Sequence, residues 1–231
     1  MFGAYLEAIR VESSHISRLP SGGELGAPVP FCPGWTLRDL VLHLGTVQRF
    51  WAQNVQAADP RHQWSGHRVG PGSDVELARW SHESTLLLVS ALEAAGHASP
   101  CWTWWDEPRT AGAVARHQVQ EATVHRWDAQ AATGEPDPID ATVADDGVSE
   151  FLEIMLGAGS AKVPGTVTLV ASDTDREWKV GAGDSGRRAT VKATASGLVL
   201  LLYRRVTTEQ VAAVGGDAAL VHTFLSAAGT T

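Results

Sequence analysis

The hydrophobic period of these 231 residues changes near Pro164. Before it, apolar residues recur at helical spacing; after it, alternating runs appear, joined by two further helical stretches. Leu6, Ile9, Ile16 and Leu19 mark a first helix over Ala4–Leu19, ended by Pro20-Ser21-Gly22-Gly23. Thr36 with Asp39 three residues on reads as a capping box. The helix it opens runs to about Ala57, with Leu40, Leu44, Val47, Trp51 and Val55 as its stripe. Ser73 with Glu76 opens a third helix, through Leu77, Trp80, Leu87, Leu88 and Leu92 to Gly96. Thr110 caps a fourth, which stops before Gly134-Glu135-Pro136, and Asp140 caps a fifth that ends at Gly157. Beyond Pro164, the sets Val167/Leu169/Ala171, Trp178/Val180 and Ala189/Val191/Ala193/Ala195 read as strands, with turns at Asp173-Thr174-Asp175 and over 181–186. Ser196 to Arg205 is a helix around Leu198–Leu202, Val211 to Val214 a short strand, and Asp217 caps a last helix, Ala218 to Ala227. Helices first and strands later predict two domains of different class: a helical bundle over 1–160 and a small α+β domain over 161–231.

The fourth helix carries the chemistry. From Arg116 to Ala132 it aligns His117, Glu121, His125 and Asp128 on one face at steps of four, four and three, close to Val114, Val124 and Ala131. Polar residues therefore interrupt a core stripe, and burying an unpaired carboxylate with two imidazoles costs several kcal/mol. A divalent metal compensates simply, because it accepts imidazole nitrogen and carboxylate oxygen together. An ordinary Glu–His pair on a wet surface gives the same spacing. His43 lies on the apolar stripe of the second helix, where a lone histidine is usually a satisfied core residue; it gains interest because another helix also aims polar groups inward. His62 and His67 read as solvated loop residues. Trp102, Trp104 and Trp105, just before the fourth helix, form either a pocket wall or packing over a bundle end.

Composition excludes other classes. A formal net charge of −8 argues against nucleic acid or an anionic membrane as partner. Two cysteines, Cys32 and Cys101, cannot make a disulfide scaffold, and a reducing cytoplasm is the expected compartment. The first residues lack the basic and apolar regions of a signal peptide, and no stretch is long enough to cross a bilayer.

Three segments together resemble the mycothiol-dependent maleylpyruvate isomerase family. Pro30-x-Cys32-Pro33-Gly34-Trp35-Thr36-x-Arg38-Asp39-Leu40-x-x-His43-Leu44-Gly45 is similar to its N-terminal signature. Glu121-x-x-x-His125-Arg126-x-Asp128-Ala129 resembles its second. Leu200-Leu201-Leu202-Tyr203-Arg204-Arg205, followed by Gly216-Asp217, resembles its C-terminal part, with Tyr203-Arg204-Arg205 where the family usually has Trp-Gly-Arg.

The resemblance implies a DinB-like four-helix bundle followed by a small sterol-carrier-like α+β domain. It implies His43, Glu121 and His125 as ligands of a divalent metal, zinc in the family, and mycothiol as thiol cofactor. Three protein ligands leave a coordination position open, as in catalytic sites. Asp128 and His117 would either orient ligands through hydrogen bonds or make an ordinary ion pair at the helix surface. Arg205, with Arg204 adjacent, would hold a substrate carboxylate, which a guanidinium fork matches. The implied activity is isomerisation, or S-transfer, of a small electrophilic and unsaturated acid. The alternative is a protein that binds metal, thiol or an apolar ligand without turnover. A metal-sensing regulator would need a DNA-reading unit, and none is recognisable.

Overall fold

The computed structural model describes residues 1–64, 70–157, 163–181 and 185–227. Contacts divide the chain between Asp137 and Pro138.

The first unit holds four long helices: α1 (Phe2–Ser17), α2 (Leu37–Ala57), α3 (Asp74–Ala95) and α4 (Ala111–Thr133). Helix α1 packs on α3 and α4, and α2 on α3 and α4. Apolar residues three and four apart fill the interior: Ile9 and Ile16 from α1, Leu40 and Leu44 from α2, Leu77, Leu88 and Leu92 from α3, and Val114 and Ala122 from α4. Each large side chain so buried contributes about 1.5–3 kcal/mol. Within this core Gln48 donates to Ser13 Oγ at 2.8 Å and Thr85 donates to Gln48 Oε1 at 2.9 Å, tying α1, α2 and α3 through buried polar groups.

Of the three caps predicted in this unit, two have a side chain that accepts a backbone N–H. At Thr36 the side chain accepts from Asp39 N while Asp39 Oδ2 accepts from Thr36 N at 2.9 Å. At Thr110 the hydroxyl accepts from Ala113 N at 3.2 Å. Ser73 is the N-cap of α3, but its hydroxyl donates to Glu76 Oε2 at 2.7 Å and caps no backbone N–H. Helix α2 passes α3 closely at Gly45, where a Cβ would stand 2.3 Å from the Trp80 ring.

The second unit begins with α5 (Ala141–Glu150), capped by Asp140, whose carboxylate accepts from Thr142 N and Val143 N. A π-helical segment, Phe151–Leu156, continues it. The sequence assigned this helix to the first domain. Its principal neighbour is α6 (Ala195–Leu202), so it belongs with the sheet. Periodicity reveals an apolar face but not which element will cover it.

Strands β1 (Thr166–Ala171), β2 (Glu177–Val180), β3 (Arg188–Ala193) and β4 (Ala213–Gly216) form one sheet in the order β2-β1-β3-β4. Strands β1 and β3 run parallel; the outer pairs are antiparallel. The parallel register sets Val167 beside Ala189, Leu169 beside Val191 and Ala171 beside Ala193, and all six are buried. The predicted alternation is thus one continuous apolar face. Helix α6, every residue of it buried, packs on β1 and β3, as does α8 (Ala218–Ala227). Val211 is not in a strand: Thr208–Val211 is a short helix, α7, and β4 starts at Ala213. Part of the second predicted turn lies outside the described residues, as does His67. A helical unit followed by a small sheet-containing unit is the fold class expected from the sequence.

Candidate metal centre

The loop before α2 and two turns of α4 build the site. Backbone bonds from Val29 N to Trp35 O (2.9 Å), Leu37 N to Ala27 O (2.9 Å) and Arg38 N to Leu25 O (3.0 Å) fold the proline-rich loop back on itself. That places Cys32 and Trp35 beside α4. The Thr36 capping box fixes where α2 starts, and His43 follows within its second turn.

His43 Nε2 and Glu121 Oε1 are 2.8 Å apart, and His125 Nε2 lies 3.5 Å from the same oxygen. One donor atom from each of the three falls within 4.8 Å of the others. The rings of His43 and His125 meet edge to face with centroids 5.0 Å apart. Trp35 covers both, its ring 4.7 Å from His43 and 6.1 Å from His125. On the far side of His125, Nδ1 lies 3.0 Å from Asp128 Oδ2, and Cys32 Sγ is 3.7 Å from that oxygen. Side-chain exposure grades across the group: 0% at Asp128, 10% at His125, 21% at Glu121 and 32% at His43. The cluster is therefore sealed at Asp128 and open at His43, the side from which a ligand would arrive.

Electrostatics support a tightly coupled group. Burial works against the Glu121 carboxylate, yet the charge and hydrogen bond of His125, with those of His43, hold it well below the usual carboxylate range. Burial likewise opposes a charged His125 ring, but the Glu121 charge and hydrogen bonds to Asp128, Cys32 and Glu121 raise it well above the ordinary histidine value. Two imidazole nitrogens and one carboxylate oxygen are a donor set that a divalent cation takes, and zinc uses it in three-ligand sites. The residues fit the group that the sequence called for.

The remaining expected residues divide. Asp128 meets His125 as anticipated. His117, one turn before Glu121, sits among indoles instead, its ring 6.0 Å from Trp51, 5.7 Å from Trp104 and 5.1 Å from Trp105. Trp102 packs on Phe50 and Trp51 in the same cluster. His62 is an exposed loop residue paired with Asp59. Arg205 lies in the second unit, past the end of α6, where Nη1 donates to Tyr203 O at 2.8 Å; Arg204 donates to Leu225 O. Spacing alone did not reveal Cys32 or Trp35 as parts of the group. Their signal was position: both precede the capping box by a few residues, in a loop stiffened by Pro28, Pro30 and Pro33.

Comparison with known proteins gives the chain a context. Residues 6–130 match the family model described as mycothiol maleylpyruvate isomerase N-terminal domain. Residues 142–223 match that of the MDMPI C-terminal domain. A crystal structure of a mycothiol-dependent maleylpyruvate isomerase, in a histidine-to-alanine variant, superposes with a TM-score of 0.66 at 16% identity, covering 94% of this chain and 95% of that one. A second crystal structure of a mycothiol-dependent maleylpyruvate isomerase gives 0.65 at 15% identity with the same coverage. No curated protein sequence matches. At this identity the superpositions speak for the fold. Among the described residues, no helix is long and apolar enough to cross a membrane.

Proposed function

The chain belongs to the mycothiol maleylpyruvate isomerase family, and from that premise we propose that it is a metal- and thiol-dependent isomerase or S-transferase. Its substrate would be a small, unsaturated, electrophilic acid. One observation carries the reading: two imidazoles and a carboxylate, from two helices far apart in sequence, bring one ligand atom each to within 4.8 Å of the others, at the more exposed side of a buried polar cluster.

His43, Glu121 and His125 would hold the cation, with zinc the metal that suits the donors. A divalent cation held there would lower the pKa of a low-molecular-weight thiol such as mycothiol and so supply the nucleophilic thiolate form. The chain's own residues prepare this. Asp128 accepts from His125 Nδ1, which leaves the Nε2 lone pair directed at the centre. Glu121 brings a negative charge that offsets part of the cation's. Trp35 lies against both imidazoles and limits water on that side. Arg205 is the candidate anchor for a substrate carboxylate, with Arg204 as the neighbour to compare.

The test combines metal analysis with a thiol-dependence assay, using mycothiol and a panel of unsaturated acids with and without chelator. Turnover that needs both thiol and metal supports the proposal. Turnover indifferent to both additions, or full metal occupancy in His43→Ala, overturns it. Metal uptake with no turnover on any acid would make the protein a binder.

A further inference from the structure

His125 is held from its second nitrogen, and the hold extends beyond Asp128. Resting on the metal centre proposed above, we propose that Cys32 is a positioning residue for that centre: its thiol donates to Asp128, and Asp128 orients His125.

Asp128 has a fully buried side chain, Cys32 is 9% exposed, and Asp128 Oδ2 receives both the His125 Nδ1 contact at 3.0 Å and the Cys32 sulfur contact at 3.7 Å. A buried carboxylate needs donors, and each one it has restricts its rotation. A thiol suits this place. It is a weak donor with an apolar body, and Cys32 belongs to the cluster of Leu37, Leu40, Leu44 and Ala129. The loop that carries it is pinned by Cys32 N donating to Val29 O and Trp35 N donating to Cys32 O. One rigid loop therefore sets His125 through Asp128 and packs Trp35 on both imidazoles.

The same three residues also have one ligand atom each within 4.8 Å of the others, so direct ligation by sulfur is the rival arrangement. The geometry favours the relay. His125 Nδ1 faces a carboxylate oxygen at hydrogen-bond distance, and the more exposed donors lie on its Nε2 side.

Cobalt(II) titration of the full-length protein against a competing chelator separates the two. Outer partners of metal-bound histidines are worth about 10–100-fold in affinity, so Asp128→Asn should weaken binding by about that much. Cys32→Ala should lose about threefold to tenfold, the smaller effect of a weak donor. Cys32→Ser, which keeps a donor, should recover to within about twofold. Cys32→Ala added to Asp128→Asn should cost clearly less than the sum of the two single losses, because Cys32 acts mainly through Asp128. The cobalt d–d absorption should shift in Cys32→Ala and return in Cys32→Ser, with no sulfur-to-cobalt charge-transfer band in the unmodified protein. Should Cys32→Ala not fold, Cys32→Val fills the pocket without a donor and must show the same loss. Unchanged affinity in the donor-free variant, full additivity with Asp128→Asn, or a sulfur charge-transfer band each overturns the relay. Failure of the unmodified protein to take up cobalt removes the centre itself. Uptake that vanishes in His43→Ala while Cys32→Ala behaves normally removes only the role of Cys32.

Discussion

Helices α4 and α6 are both deeply buried, and they bury opposite kinds of surface. Every residue of α6 is inside, and its Leu198-Val199-Leu200-Leu201-Leu202 run is apolar throughout. Helix α4 buries Gln118, Gln120, Thr123, His125, Arg126 and Asp128 among its valines and alanines. Some of those polar groups are matched: Arg126 Nε donates to Glu12 at 2.6 Å and also reaches Gln130, and Asp128 meets His125. The Gln118 amide and the Thr123 hydroxyl have no hydrogen-bond partner among the described residues. A buried polar group without a partner costs about 1–3 kcal/mol. The contrast teaches that α6 holds a fold together, whereas α4 carries groups whose retention stability alone does not explain.

Substitutions test that division, beginning with the largest effect. Glu121→Gln removes the carboxylate that both imidazoles face, and its loss of metal affinity should exceed the ~10–100-fold that an outer partner is worth. Isothermal titration with zinc reads this, and near-native affinity would break the contrast. Leu198→Ala in α6 empties a fully buried site and should cost about 2–5 kcal/mol in denaturant unfolding, with zinc affinity unchanged in the protein that remains folded. Gln118→Met replaces the unpartnered amide at similar volume and should raise stability by about 1 kcal/mol. If it instead lowers turnover at unchanged stability, Gln118 joins the chemistry.

The smallest effect is electrostatic. A hydrogen bond from Arg187, with that from Leu220 N, holds the Asp217 carboxyl below its ordinary range. A carboxyl lowered by folding adds stability that is present at neutral pH and lost as the pH falls through the lowered value. Asp217→Asn should therefore be slightly less stable than the parent at pH 7, and the gap should close in strong acid. A gap that widens with acid would reverse the sign.

Much of this was legible in the residue order. The Thr36 and Thr110 caps fix the starts of α2 and α4, so the steps from Glu121 to His125 and to Asp128 translate directly into one helix face. That His43 meets that face followed from its place on an apolar stripe, because both stripes point to one core. What stayed hidden was non-local. Cys32 lies 96 residues from Asp128, and Arg126 lies 114 from Glu12; no period links such pairs. His117 has the spacing of the site, yet the indoles of Trp51, Trp104 and Trp105 surround it. Helical spacing gives direction around an axis but not which neighbour waits there.

Gly45 gives the absence of a side chain an unexpected reach. With hydrogen alone at that position, the second helix lies against the indole of Trp80, and two residues earlier the same backbone carries His43. A single methyl would act as a wedge, prising α2 from α3 and carrying the imidazole with it. The span between His43 and Glu121 is thus gauged, in part, by an atom on the opposite side of the helix that never touches either of them.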